Sequence, residues 1–337
     1  MSFKSLSVTD FIVSSDSITS TLWSTNTPEL TTFFTSSVQK ASSAGNYYLS
    51  VYQTSSTDQQ VQFDIAYADL LGSGSALFNT AVPEKSFTQT IYGQYRAMIL
   101  EDENSTFNFG SGDNIYTSDH FWAISVDRAR YKQSLFPGSL NLKISGSGGV
   151  GLIQLTDDSV DTTVNKFIGS SRVYQLISGS NGTAGTLANS GYVENSGSYG
   201  LVFPDLGLIL VNPAAISQSL HLAPSRSNNA EGLNPEKLFV GINKGLSFTL
   251  NSQETLTSDY VFVRAGNSEF NYSENPTFIS GSNGEVVFDA FINQPQTFIT
   301  TIGMYNNSNE LLAVAKLSRP LLKDFTKEAL VRVKLDF

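Results

Sequence analysis

The sequence predicts a mainly β protein with two β-rich domains, each built from sandwich-like or Greek-key-like antiparallel sheets, and a few short helices. Short segments rich in aromatic and β-branched residues recur along the chain, which is the composition of strands. Clusters of Gly, Ser and Asn separate these segments at intervals of roughly ten residues, the spacing typical of such sheets. The length of 337 residues exceeds the usual size of one domain.

Strand candidates recur through the first two thirds of the chain. They are residues 46–54, 60–68, 123–131, 139–145, 171–178 and 201–211. The polar residues 55–59 between the first two candidates predict a hairpin. Pro204 and Asp205 predict a turn that divides the last candidate into two buried strands.

Three segments are helix candidates, at residues 28–39, 212–220 and 234–243. In the second, Asn212 is a suitable N-cap and Pro213 takes the first helical position. The third begins with the same Asn-Pro pair. The first has Thr27 and Pro28 at its start, but its β-branched and aromatic residues are equally compatible with strands.

A polar segment at residues 225–234 predicts a domain boundary. We therefore expect an N-terminal arm or attachment segment at residues 1–45, a β-rich domain at 46–224 and a C-terminal β-rich assembly domain at 225–337. The strand candidates of the last domain are residues 246–250, 259–264, 285–292, 297–304, 310–316 and 330–335. The Asn-rich residues 306–309 predict a hairpin turn.

Composition argues against several classes of function. The chain has 30 acidic and 20 basic residues, a net charge of −10 and no basic cluster, so nucleic acid is not an expected partner. The absence of cysteine excludes disulfides, thiolate zinc sites and cysteine nucleophiles. His120 and His221 are far apart, which disfavours a histidine triad or a transition-metal site. Because no apolar block suits a signal peptide or a bilayer span, we expect a soluble protein without membrane insertion.

Two motifs admit a chemical interpretation. Residues 146–151 match G-x-G-x-x-G, but a strand-like segment follows where a dinucleotide site needs a helix, so we expect a hairpin loop. Asp157, Asp158 and Asp161 could accept a cation such as calcium, but they lack the EF-hand spacing, and a solvated acidic loop is the simpler interpretation. We expect no enzymatic activity, no catalytic residue, no cofactor and no bound metal.

Aromatic clusters are the remaining candidates for a binding site. They are Phe33 with Phe34, Tyr47 with Tyr48, Phe121 with Trp122, and Tyr92 with Tyr95. Such groups could form a platform on which sugars stack, although a place in the core or in a subunit interface is the commoner role for aromatic side chains.

Six segments carry a resemblance to a known family. They are residues 91–96, 125–131, 199–207, 262–278, 298–317 and 325–337. These segments resemble virion structural proteins of T4-like tailed bacteriophages, marine cyanophages especially. The segment IGMY…LLAVA within residues 302–315 is also similar to a hairpin in tail-fibre attachment domains of other tailed phages.

The resemblance implies a non-enzymatic structural component of the virion, made in the host cytoplasm and located in the contractile-tail baseplate or the tail-fibre attachment region. Its expected partners are copies of itself and other tail or baseplate proteins. A terminal strand is suited to adding to the sheet edge of a neighbour. The predicted interface residues are Phe270, Asn271, Tyr272, Phe278, Val331, Val333, Leu335 and Phe337.

Two other functions remain open at this point. Surface aromatics beside carboxylates would suit a tail-tip protein that binds or cleaves host glycans. A head-decoration or neck protein would use the same kind of subunit interface.

Overall fold

Strands dominate the fold of the chain. The computed structural model describes residues 3–35, 48–54, 60–74, 86–110, 114–149, 151–162, 165–185, 188–226, 233–273 and 275–336. The strands before residue 170 are β1 (Phe11–Thr21), β2 (Glu29–Leu30), β3 (Phe34–Thr35), β4 (Tyr48–Tyr52), β5 (Val61–Asp69), β6 (Phe107–Asn108), β7 (Thr117–Ser118), β8 (His120–Val126), β9 (Ser134–Leu135), β10 (Asn141–Ser145), β11 (Leu152–Asp157) and β12 (Lys166–Ile168). Those after it are β13 (Ser171–Ser180), β14 (Thr183–Ala184), β15 (Gly200–Phe203), β16 (Leu208–Val211), β17 (Phe248–Thr249), β18 (Asn251–Ala265), β19 (Ile279–Ser280), β20 (Glu285–Val286), β21 (Thr297–Tyr305), β22 (Leu311–Lys323) and β23 (Ala329–Asp336). The helices are α1 (Phe87–Ile99), α2 (Pro213–Leu220), α3 (Leu233–Gly245) and α4 (Asp289–Asn293). The predicted mainly β class with few short helices is confirmed.

The chain divides into two units. The large unit is Ile18–Glu254, and the small unit combines Met1–Ser17 with Thr255–Phe337. This division differs from the predicted ranges 1–45, 46–224 and 225–337. In its described part, the predicted boundary segment at residues 225–234 belongs to the large unit, where Asn234 is buried and its side chain hydrogen-bonds both backbone groups of Ser225.

One curled antiparallel sheet forms the large unit. Its strand order is β2-β17-β10-β11-β13-β15-β16-β8-β5-β4-β3, and β12 and β14 add to β13. The strands at its two ends, β2 and β3, are separated in sequence only by residues 31–33. A link of this length spans at most roughly 14 Å when extended, so the sheet curls until its ends lie close together.

The central strands of this sheet bury both faces. In β5, Phe63 and Tyr67 join one hydrophobic cluster, while Ala66 and Ala68 join another. The strands β8, β15 and β16 divide their side chains in the same way. Helices α2 and α3 contribute to the first cluster and α1 to the second. Two-sided burial explains why residues 201–211 form an almost continuous apolar run rather than an alternating one.

Two tryptophans connect distant segments of the large unit. The indole Nε1 of Trp122 in β8 donates to the backbone oxygen of Asn234 at 2.9 Å, which holds the start of α3 against the sheet. The Nε1 of Trp23 donates to the backbone oxygen of Phe248 at 3.0 Å. Both rings are buried, so each indole N–H needs such an acceptor.

The helix predictions have mixed outcomes. Helices form at Pro213–Leu220 and Leu233–Gly245, as predicted, and the Asn212 side chain accepts from the backbone N–H of Ala214. For residues 28–39 the helix alternative is wrong in its described part, where β2 and β3 form, and the aromatic and β-branched pair Phe34–Thr35 of β3 favours a strand. Residues 36–39 lie outside the described residues. Helix α1 was not predicted, and burial of Ile91 and Tyr92 against the sheet stabilises it.

Beyond residue 245, the predicted strands correspond to observed strands except at residues 285–292. Only Glu285–Val286 is extended there, and Asp289–Asn293 forms the short helix α4. The hairpin turn at residues 306–309 is confirmed. The Asn306 side chain accepts from the backbone N–H groups of Ser308 and Glu310, and Asn309 takes a left-handed conformation with φ 61°.

We predict that Asn212→Ala lowers the unfolding free energy of the large unit by about 2–4 kcal/mol. The change removes the N-cap and leaves the buried carbonyl of Ser198 and the partly buried carbonyl of Ser196 without the amide that donates to them. Urea denaturation followed by tryptophan fluorescence measures this, since both tryptophans lie in the large unit. The exposed Asn243→Ala on α3 is the control, with an expected change within about 0.5 kcal/mol. Equal effects of the two changes would contradict the prediction.

Candidate assembly interface

The small unit is built around a sheet in which β18 lies between β1 and β23. Strands β18 and β23 are antiparallel, from Ala265 opposite Ala329 to Ser258 opposite Asp336. Alternation places Val261, Ala265, Ala329 and Val333 on one face. These four are the buried apolar side chains of the described part of the small unit.

The small unit exposes more large apolar side chains than the large unit, although it is much shorter. It contains 100 of the 337 residues but 18 of the 29 large apolar side chains that are exposed among the described residues. They are Phe3, Val8, Phe11, Ile12, Val13, Phe270, Tyr272, Val287, Phe288, Ile292, Phe298, Tyr305, Leu311, Leu312, Val314, Leu321, Phe325 and Leu330. Exposed apolar surface of this extent is typical of a protein–protein interaction site.

The hairpin of β21 and β22 exposes apolar side chains on both faces. Ile302 and Met304 lie opposite Ala315 and Ala313 on one face, and all four are only partly buried. Val314, opposite Gly303, lies on the other face and is exposed. A two-stranded hairpin is marginally stable alone in water, so this one needs a covering surface.

A buried lysine organises the loop at residues 266–273. The Lys323 side chain is fully buried, and its Nζ donates to the backbone oxygens of Asn267 and Asp324 at 3.0 Å and to Oδ1 of Asn271 at 2.7 Å. Three acceptors satisfy the three protons of the ammonium group. The loop exposes 64% of Tyr272 and 36% of Phe270, and Phe270 has a left-handed φ of 56°.

The predicted interface residues fall into three groups. Tyr272 and Phe270 are exposed, whereas the Asn271 side chain is buried against Lys323 and is unavailable to a partner. Phe278 packs edge-on against Phe291 with ring centroids 4.6 Å apart. The remaining described residues, Val331, Val333 and Leu335, share the inner face of β23 with the buried Ala329. Phe337 lies outside the described residues.

Sequence reasoning missed β1 as an interface candidate. All of its residues except one are exposed, and Phe11, Ile12 and Val13 form an apolar run at its start. That run is the signal that could have identified it, because an exposed apolar edge strand is a natural pairing surface.

The large unit contains one extended charged network among its described residues. Arg226 donates from Nε to the fully buried Asp69 at 2.8 Å and from Nη2 to Asp119 at 2.7 Å. Asp119 also contacts the Nδ1 of His120 at 2.7 Å. Burial would raise the pKa of Asp119, but hydrogen bonds from His120 and Arg226 outweigh it and lower that pKa. The network attaches the chain at Arg226 to the ends of β5 and β8.

The acidic loop is held by backbone hydrogen bonds. Asp157 accepts from the N–H groups of Gly138 and Ser159, Asp158 from that of Gln175, and Asp161 from that of Ala184. Burial raises the pKa of Asp157 although its hydrogen bonds act in the opposite direction. These carboxylates therefore fix loop geometry. Among the described residues, no three His, Asp or Glu side chains lie together as a metal site would require.

The other two motifs also have structural roles. Strands β10 and β11 pair on either side of residues 146–151, and Gly146 N–H donates to the backbone oxygen of Gly151, so the predicted hairpin loop is confirmed. Phe33, Tyr92, Phe121 and Trp122 are buried, which leaves them unable to stack on a sugar. Tyr48 and Phe34 are partly exposed, and Tyr47 lies outside the described residues.

Among known proteins, no family model, no curated protein and no solved structure matches this chain. None of the described helices combines the length and apolar character that crossing a membrane requires.

We predict that Arg226→Gln lowers the unfolding free energy of the large unit by about 2–3 kcal/mol at pH 7, because the buried Asp69 carboxyl group would lose its ion-pair partner. The lowered pKa of Asp119 contributes stability above about pH 4, and this part is lost as the pH falls through that pKa. The difference in unfolding free energy between the variant and wild type should therefore become smaller below about pH 4. Urea denaturation at a series of pH values measures this difference.

The matched control is Arg172→Gln, which removes an ion pair whose carboxylate, that of Asp205, is exposed rather than buried. We expect this change to lower the unfolding free energy by less than about 1 kcal/mol. If both changes lower the unfolding free energy by the same amount, the network does not hold the chain at Arg226.

We predict that Asn271→Ala speeds hydrogen exchange at the backbone N–H of Glu269 by roughly tenfold to a hundredfold. The change removes one of three acceptors from the buried Lys323 and so loosens the loop that exposes Tyr272. The exposed Asn275→Ala, which removes only a turn hydrogen bond to Thr277, should leave that exchange unchanged. Hydrogen-exchange mass spectrometry of peptides covering residues 266–273 measures the exchange rate in both variants.

Proposed function

We propose that this chain is a non-enzymatic structural component of a tailed bacteriophage virion, in the contractile-tail baseplate or the tail-fibre attachment region. It acts through interfaces with copies of itself and with other tail proteins. The apolar surface of the small unit is the observation that carries the proposal. A segment that leaves 18 large apolar side chains exposed needs partners to cover them.

The edge of β23 supports the same role. Its strand neighbour among the described residues is β18, on one side only, and its other edge is available for strand addition. The resemblance of residues 262–278, 298–317 and 325–337 to virion structural proteins adds to this, because these segments include much of the exposed apolar surface. The glycan-binding alternative has no comparable support, since the aromatic side chains that would form its platform are mostly buried.

Cryo-electron microscopy of intact particles of the virus that encodes the chain tests the location. Density in the baseplate or at the fibre attachment, with the small unit against neighbouring proteins, is the expected result. Density at an exposed fibre tip with binding to host polysaccharide would replace the proposal with the glycan-binding function. Density on the head would indicate a decoration or neck protein. Particles that lack the chain would overturn the proposal.

We predict that deleting residues 330–337 abolishes incorporation into particles, because it removes most of β23 and therefore the edge that a neighbour would use. Tryptophan fluorescence should stay as in wild type, since Trp23 and Trp122 belong to the large unit. Leu330→Lys is the milder variant, which changes one exposed side chain and keeps the strand. Normal incorporation of the deletion variant would show that β23 is not needed for assembly.

A further inference from the structure

We propose that a second copy of this chain binds the small unit by edge-to-edge strand pairing, with β23 of one copy lying against β1 of the next. This inference rests on the proposed assembly function and names the partner. It begins from the sheet order β1-β18-β23, in which β1 and β23 are the two outer strands. One copy therefore presents two different edges of the same sheet, and each edge can receive a strand.

The charges of the two edges are complementary. Asp16 is the charged residue of β1 and is exposed. The outer face of β23 carries Arg332 and Lys334 together with Asp336, a net positive charge. Pairing β23 with β1 of another copy brings opposite charges together, which favours the contact.

The same charges disfavour the symmetric alternatives. A two-fold contact between two β23 strands would bring the Arg332 and Lys334 side chains of both copies to one interface. A two-fold contact between two β1 strands would bring two Asp16 side chains together, and like charges on neighbouring strands are destabilising. The favoured contact is thus head-to-tail, and a head-to-tail contact generates a closed ring when its rotation closes.

The apolar side chains of the two edges fit this contact. Phe11, Ile12 and Val13 are consecutive in β1, so they point to both faces of the sheet, and all three are exposed. Leu330 in β23 is also exposed. The side chains of a neighbouring strand would cover part of this apolar surface on each face of the sheet.

Charge reversal tests the contact, and sedimentation equilibrium of the purified full-length chain measures it. Asp16→Lys changes one edge, and the double substitution R332E/K334E changes the other. We expect wild type to self-associate more tightly at low salt, and each variant to raise the Kd roughly tenfold or more. Circular dichroism confirms that each variant is folded. K316E, which makes the same kind of charge change at an exposed position of β22, should leave the Kd unchanged.

Mixing the two variants separates contacts between chains from those within one chain. Within one copy, Asp16 and Lys334 already attract each other across the sheet, and each reversal alone destroys that attraction. An equimolar mixture of the two variants restores opposite charges at every contact between neighbouring copies but not within any copy. We expect the mixture to associate with a Kd within about threefold of wild type.

Three results would overturn the inference. They are a wild-type chain that stays monomeric at all concentrations, an association that neither reversal weakens, and a mixture that fails to associate. None of them concerns where the chain lies in a particle. A chain that forms rings by this contact but is absent from particles would instead refute the proposed function and leave the strand pairing in place.

Discussion

Burial of apolar side chains on both faces of one antiparallel sheet is the interaction on which the large unit depends. Strands β5, β8, β15 and β16 contribute to two hydrophobic clusters at once. Helices α2 and α3 contribute to the first cluster and α1 to the second. Trp122 and Asn234 then fix the position of α3 by a hydrogen bond between buried groups, whose loss would leave both polar groups unsatisfied. The charged network at Arg226 and the carboxylates of the acidic loop serve the same scaffold, since each holds a connecting segment against a strand end.

The small unit follows the opposite arrangement. Among its described residues, β18 and β23 bury four apolar side chains, and its longest hairpin leaves several apolar side chains exposed. The buried Lys323 side chain of this unit stabilises a loop rather than a core. Among the described residues, this unit exposes 18 large apolar side chains, whereas nearly all of the buried apolar side chains belong to the large unit. This contrast is the physical basis of the proposed function, because a surface with many exposed apolar side chains is typical of protein–protein interaction sites.

Local patterns explain which features could be predicted from the sequence. The helix after Asn212 and the turn at Asn306 depend on neighbouring residues, and both were predicted correctly. Helix α1 and the burial of Asn271 depend on contacts far along the chain, the second on Lys323, 52 residues away. Strand β23 was identified as an interface candidate by its composition, while β1, with its many Ser and Thr residues, gave only a weak signal. Its exposure follows from its place at the outer edge of a sheet, which no local pattern specifies.

The order in which strands are paired has a consequence for synthesis of the chain. Strands β1 and β2 are made early, but their partners β18 and β17 follow more than two hundred residues later, and the bond from Trp23 to Phe248 spans 225 residues. At about 5–20 residues per second, the ribosome needs roughly 10–50 s to supply those partners. During that interval Phe11, Ile12 and Val13 lie in an unpaired, aggregation-prone strand. Neither sheet can be completed before residues 248–265 have been made, so both units complete their folding late in translation.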